Sequence, residues 1–148
     1  MTQITLRPPR NSDRDAWEEL YAGYAHFYGV IQTPEMRARV WDWIMDPTHE
    51  VEALLALQGD TPVGLAHYRP FARPLSASTG GFLDDLFVAP EARGSGAAEA
   101  LIHELETIGR SRGWSVIRWI TAEDNTRARA LYDRLARHTT WQTYDIAL

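Results

Sequence analysis

The stretch Phe82-Leu83-Asp84-Asp85-Leu86-Phe87-Val88-Ala89-Pro90-Glu91-Ala92-Arg93-Gly94-Ser95-Gly96-Ala97-Ala98-Glu99-Ala100-Leu101 decides how this chain is read. It passes from an apolar strand carrying two acids, through a proline turn and a glycine-rich loop, into the first turn of a helix. That order sets a nest of backbone N–H groups and a positive helix end beside a strand terminus, a ready site for a pyrophosphate. Arg93 at its edge adds a guanidinium able to pair phosphate through two parallel hydrogen bonds. A mere tight turn is the alternative, and Arg93 makes it the poorer one. The stretch points to a phosphate-bearing cofactor.

Outward from it, strands and helices alternate without linkers or repeats. Residues 4–7 alternate as a strand closed by Pro8-Pro9. Asn11 or Ser12 starts a helix to about Tyr24, with acids in its early turns. Thr33-Pro34 caps and opens a second helix to about Met45. Residues 51–58 and 62–68 are apolar runs joined at Gly59-Asp60, a hairpin signal. Residues 69–81, rich in Pro, Ser and Gly, read as a loop. A strand over 82–88 and a helix from about Ser95 to Arg112, stopped by Gly113, come next. Then follow a strand over 114–121, a helix from Asn125 to about Arg137, and a last strand over 141–148. The expectation is one α/β domain over residues 1–148, a mixed sheet with helices on both faces in three layers.

Composition bounds the chemistry. The 148 residues suffice for one buried core. Net charge is −5, which disfavours a nucleic-acid surface and suits a cationic small molecule. No apolar run approaches the roughly 20 residues of a membrane span, and the first residues open no signal segment, so the expected location is cytoplasmic. Cysteine is absent, which removes disulfides, thiolate metal sites and cysteine nucleophiles. All fifteen basic residues are arginine. Without lysine there is no Walker-type phosphate clamp and no Schiff base.

Other glycine-rich readings fail on spacing. The third glycine of a dinucleotide-binding G-x-G-x-x-G would fall at Glu99. Ser95 has its glycines at the wrong offsets for a hydrolase elbow. His103-Glu104 lacks the second histidine of a zinc helix, and His26, His49, His67 and His138 are scattered, so no metal is expected.

Arg93-Gly94-Ser95-Gly96-Ala97-Ala98 resembles the acyl-CoA loop of the GNAT superfamily of N-acetyltransferases, Arg/Gln-x-x-Gly-x-Gly/Ala. The preceding Leu83-Asp84-Asp85-Leu86-Phe87-Val88-Ala89-Pro90 is similar to that family's fourth strand. Asn125-Thr126-Arg127-Ala128-Arg129-Ala130-Leu131-Tyr132 matches its later Asn-x-x-Ala-x-x-x-Tyr spacing. The resemblance implies a mostly antiparallel sheet in which a parallel fourth and fifth strand splay apart. It implies acetyl-CoA as cofactor, with backbone groups of Leu86, Phe87 and Val88 on the pantetheine arm. Arg93 and the amides of Gly94, Ser95, Gly96, Ala97 and Ala98 would hold the pyrophosphate, joined by Asn125 and Ala128. A side chain at Gly96 or Ala98 would crowd that space. Asn125 also suits a helix cap. A homodimer is among the family's habits.

The same resemblance makes Tyr132 the acid that protonates the departing thiolate. With reference values of about 10 for tyrosine and about 8.5 for a thiol, that transfer is uphill by roughly 2 kcal/mol. An alkylammonium acceptor must lose a proton before it attacks, and Asp84, Asp85 or a relayed water is the candidate base. Neighbouring strand residues point to opposite faces, so one acid is expected in the cleft. The Leu-Asp-Asp-Leu-Phe-Val string is similar to the spermidine/spermine branch, which suggests a small primary amine as partner, a polyamine included. Amino-acid, antibiotic or protein amines, or a non-catalytic acyl-CoA-binding role, are the alternatives. Tyr24, Phe27 and Tyr28, with Tyr21, crowd the stretch expected to build the acceptor side. Their helical spacing also fits a core stripe. Glu18, Glu19 and His26 are further candidates there. The family's Gly-Phe after the tyrosine is replaced by Asp133-Arg134-Leu135-Ala136, leaving the entry of the last strand open.

Overall fold

The computed structural model describes residues 3–148. Five strands, β1 (Ile4–Arg7), β2 (Glu52–Gln58), β3 (Thr61–Arg73), β4 (Ser78–Val88) and β5 (Ile117–Arg118), form one sheet in chain order. The first four pair antiparallel, and β5 lies parallel to β4. Parallel neighbours need a crossover, here supplied by helix α3 (Ala97–Arg112). Helices α1 (Arg14–Phe27), α2 (Pro34–Met45) and α4 (Thr126–Leu135) complete the chain.

The period-2 alternation of β2 splits the core into two layers. Leu54 and Ala56 face α3 with Ala66, Tyr68, Leu83, Leu101, Ile102 and Leu105. Leu55, Leu57 and Leu65 face the other way, against Trp17 and Leu20 of α1 and Trp41 of α2. The expected mixed α/β sheet with helices on both faces is what the chain forms. Thr33 caps α2, accepting from the Met36 N–H at 3.2 Å. Gly113 ends α3 at φ 74°.

Three expectations are corrected. Residues 69–81 are not a loop: β3 and β4 continue as a hairpin up to a short turn at Pro74–Ser76. The glycines there serve packing, since a Cβ on Gly81 would sit 2.3 Å from the Trp114 ring. The fifth strand is two residues long, because β4 and β5 pair only at Gly81–Ile117 and Phe82–Arg118. The last strand is absent: residues 141–148 join no sheet and are exposed.

Candidate functional site

Beyond Phe82 no strand of the described residues covers the β5 side of β4, so its edge stands open where the two strands part. The Ala89 N–H donates to Val63 O at 2.8 Å. By antiparallel alternation Phe87 therefore pairs with Leu65, while Leu86 and Val88 turn their backbone groups to the open edge. Of the three backbone contacts expected there, Phe87's is taken up inside the sheet. Its side chain still reaches the cavity.

That cavity, about 520 Å³, gathers Leu86, Phe87, Val88, Arg93, Gly94, Ser95, Gly96, Ala97, Ala98, Asn125, Ala128 and Tyr132 on its walls. Gly94 and Gly96 sit at φ 81° and 86°, a left-handed backbone that side chains resist. Among the described residues, the N–H groups of Gly94, Gly96 and Ala98 have no partner in the chain. They open on the cavity at the start of α3, where the helix field is positive. An added Cβ at either glycine meets nothing within 4 Å. The demand for glycine is thus conformational rather than a matter of protein crowding. Free amides, a positive helix end and Arg93 are the donor set that a diphosphate requires, so the cavity fits coenzyme A.

Phe27 and Tyr28, expected on the acceptor side, line this same cavity. The Arg93 guanidinium lies 5.6 Å from the Phe27 ring. The Asn125 Nδ2 donates to the Tyr28 hydroxyl at 3.1 Å and makes no cap to its own helix. Asn125 thus joins the start of α4 to the end of α1 across the cavity. Tyr132 packs edge-on to Trp119 at 5.4 Å, and burial pushes its hydroxyl up to about 12.

The two acids do not behave as a regular strand predicts. A bulge between His67 and Tyr68 leaves Asp84 as an extra residue in β4. Asp85 bonds His67 at 2.8 Å and Asp84 bonds Arg69 at 3.1 Å. His67 and Arg69 are two apart on β3, so both carboxylates lie on the α1 face. The expectation of opposite faces is overturned, because the bulge shifts the alternation by one residue.

Their environments differ. The indole N–H of Trp17 donates to His67 Nε2 at 2.9 Å. An indole nitrogen only donates, so Nε2 accepts and the proton of the neutral ring sits on Nδ1, aimed at Asp85. The Tyr21 hydroxyl donates to the same carboxylate oxygen at 2.9 Å. Burial raises the Asp85 carboxyl, yet His67, Tyr21 and Tyr24 outweigh it and hold the group below the ordinary carboxylate range. Asp84 is half-buried, and desolvation raises it above that range despite Arg69. Burial beside Asp85 raises the Tyr21 and Tyr24 hydroxyls, so both stay protonated donors.

Trp17, His67 and Arg69 were not singled out in the sequence. One signal was available for His67: a polar ring inside the apolar run of residues 62–68, buried to 1% exposure, needs partners. Tyr21 was placed in the aromatic stripe, and its bond to Asp85 depends on the bulge. Leu131 and the Arg134–Glu99 ion pair, 2.9 Å between α4 and α3, also border the cavity. Glu18 pairs with Arg37 at 3.3 Å, away from the acids.

An opening between parting strands, a glycine loop with free amides and two carboxylates together suit an acyltransferase. Residues 17–136 match the family model described as Acetyltransferase (GNAT) family, and the chain belongs to that family. It is an acetyl-CoA-dependent N-acetyltransferase acting on an amine. The D-amino-acid N-acetyltransferase HPA3 of Saccharomyces cerevisiae is 27% identical over 139 residues, covering 93% of this chain and 86% of that protein. The ribosomal-protein-alanine N-acetyltransferase of Brucella melitensis biovar Abortus 2308 superposes with a TM-score of 0.83 at 23% identity, over 99% of both chains. The aminoglycoside N-acetyltransferase AAC(6')-Iy in complex with CoA gives 0.85 at 16% identity, over 100% of this chain and 96% of that one. At such identities the two structures speak for the fold alone. No described helix is long and apolar enough to cross a membrane.

Proposed function

We propose that the acceptor is the primary amine of a small cationic molecule, with a polyamine as the type case, acetylated by direct transfer in a ternary complex. The supporting observation is the shared face of Asp84 and Asp85, with the Tyr21 and Tyr24 rings beside them. Two carboxylates on one face suit a multiply charged amine, and the rings suit its methylene stem and charge.

Acetyl-CoA supplies an acyl thioester when bound. The amides of Gly94, Gly96 and Ala98 with Arg93 hold its diphosphate, and the open backbone groups of Leu86 and Val88 hold its pantetheine arm. The Val88 N–H, turned to the open edge, would polarise the thioester carbonyl of a bound acetyl-CoA, where negative charge develops. Asp85, a carboxylate held by several donors, is a poor base and fixes the ammonium. Asp84, less acidic and nearer solvent, takes the proton from the amine and passes it to water. Tyr132 donates to the leaving sulfur. With its hydroxyl near 12 and a thiol near 8.5, that transfer is uphill by about 5 kcal/mol. The cost exceeds what an unperturbed tyrosine implies, and it falls as the thiolate is itself desolvated.

A second reading has its own support. Arg69 shares the face with both acids and offers a guanidinium to a carboxylate, as an α-amino acid requires. A thiol-release assay over a panel of amines separates the two. Diamines and polyamines are expected to exceed α-amino acids at least tenfold in kcat/KM. Equal or better turnover of amino acids sinks the polyamine reading and leaves acetyl transfer standing.

A further inference from the structure

Gly23 stands inside α1, where glycine is among the poorest helix formers. What it makes room for is Phe87: a Cβ added at Gly23 would lie 3.3 Å from both Cε2 and Cζ of that ring. The ring tip is thus seated in a notch of the helix. Tyr24 packs edge-on to the same ring with centroids 6.0 Å apart, and Tyr28, one turn further, packs edge-on to Tyr24 at 4.9 Å. With helix backbone on one side and a tyrosine on another, Phe87 has little room to retreat.

Phe87 lies two residues past Asp85 on β4 and opposite Leu65, so its side chain shares the α1 face with the acid. It also lines the cofactor cavity, whereas Tyr24 behind it belongs to the surroundings of Asp85. The ring is therefore the partition between the cavity and the acid face. A thioester whose oxygen meets the Val88 N–H, and whose sulfur continues into the pantetheine arm, has one substituent left to place. That substituent is the acyl tail, and the wall it meets there is the Phe87 ring.

We propose that Phe87 sets the length of the acyl group, admitting acetyl and excluding longer chains, with Gly23 as the residue that positions the ring. The inference rests on the reading that the thioester carbonyl meets the Val88 N–H. It concerns the donor, so it holds whichever amine is the acceptor. An acyl chain one methylene longer has to push the ring into α1, and a packed interior resists such overfilling. One methylene in a hydrophobic pocket discriminates by roughly 10–200-fold. Notch and ring act together: a filled notch moves the ring toward the cavity, and a smaller side chain at position 87 draws the wall away.

The test is a panel of acetyl-, propionyl- and butyryl-CoA, with spermidine as acceptor and free alanine in a parallel series, read as thiol release. Ratios of kcat/KM are taken within one acceptor, so the choice of amine cancels. The wild type is expected to prefer acetyl over propionyl by about tenfold or more, and over butyryl by more still. Phe87→Leu, which keeps an apolar side chain in the notch, should bring propionyl to within about threefold of acetyl. Gly23→Ala favours the helix and should still lower acetyl transfer by about fivefold, a loss that Gly23→Ala with Phe87→Leu recovers. Circular dichroism checks that the variants fold. The carbonyl of bound carbon-13-labelled acetyl-CoA reads the underlying assumption separately, since a downfield shift on binding marks polarisation at β4 whatever the acyl ranking. A wild type that uses all three donors alike overturns the proposal. So does a Phe87→Leu chain that keeps the wild-type ranking, or a Gly23→Ala loss that the second substitution fails to recover.

Discussion

The cofactor loop and the acid face adjoin along the C-terminal half of β4, and they are built on different principles. Between Val88 and Ala98 the working groups are main-chain amides, set by two left-handed glycines and a helix start. Everything needed is within a dozen consecutive residues. Around Asp84 and Asp85 the working groups are side chains drawn from Trp17, Tyr21, His67 and Arg69, brought together by one bulge. A site made of backbone tolerates side-chain drift. A site made of side chains fails when any member shifts its neighbour.

The largest effect should come where the two regions meet in chemistry. Tyr132→Phe keeps the ring against Trp119 and loses only the hydroxyl. General acid catalysis by a positioned group contributes typically about 10²–10⁴-fold, so kcat should fall by about 100-fold or more, with the acetyl-CoA KM unchanged. Steady-state kinetics at saturating amine measures this. A matching rise in KM would instead give Tyr132 a binding role. Full kcat would remove the residue from the mechanism.

The acids break the comparison more finely, because their roles differ in kind. Asp85→Asn removes a charge that receives the His67 and Tyr21 donors, and hydrogen bonds to charged groups are worth about 1.5–3 kcal/mol each. Chemical denaturation at pH 7 should register a loss of about 2–3 kcal/mol, with a raised acceptor KM. The sign with pH follows from the depressed carboxyl. Its stabilisation is complete above the unfolded value of about 4 and fades as pH falls through the lower folded value, so wild type and variant should converge in acid. Asp84→Asn should leave stability nearly unchanged and lower kcat, the drop shrinking as pH rises and free amine accumulates. Interchangeable effects at the two positions would show that the bulge does not divide their labour.

Gly96→Ala probes the backbone end. Holding a non-glycine residue in the left-handed region costs roughly 1–2 kcal/mol, about a tenfold loss of affinity if the loop moves to relieve it. Calorimetry with coenzyme A reads the change directly. Since nothing crowds an added Cβ at this position, an unchanged affinity would show that the ligand tolerates a reshaped loop.

This contrast also explains what could be read in the chain before its fold was known. The glycine loop, the capped α2 and the Gly59-Asp60 hairpin are local patterns, and they fall where the residues say. Residues 69–81 misled through composition: Gly80 and Gly81 look like loop glycines, yet they leave room for the ring of Phe71 across the hairpin and for that of Trp114, which arrives from beyond α3. The alternation in 141–148 is strand-like, but a strand exists only against a partner, and the chain's own body supplies none. The shared face of Asp84 and Asp85 was hidden for a similar reason, since a bulge in β4 is defined by its register against β3.

The smallest effect tests the most remote member of the acid face. Trp17 hydrogen-bonds neither acid and instead donates to His67, which it obliges to accept at Nε2 and donate at Nδ1. Trp17→Phe keeps an aromatic ring beside Tyr21 and Trp41 but deletes the indole N–H. His67 is then free to place its proton on either nitrogen, and the Nδ1–H bond to Asp85 loses its exclusivity. Nitrogen-15 shifts of His67 should move from one tautomer toward a mixture, while the acceptor KM rises a few-fold, on the order of 1 kcal/mol, as Asp85 loosens. A merely structural tryptophan would lower stability and leave both readings where they were. A KM change without a tautomer change would place the indole's influence in packing, and the proton chain from α1 to β4 would have no part in holding the amine.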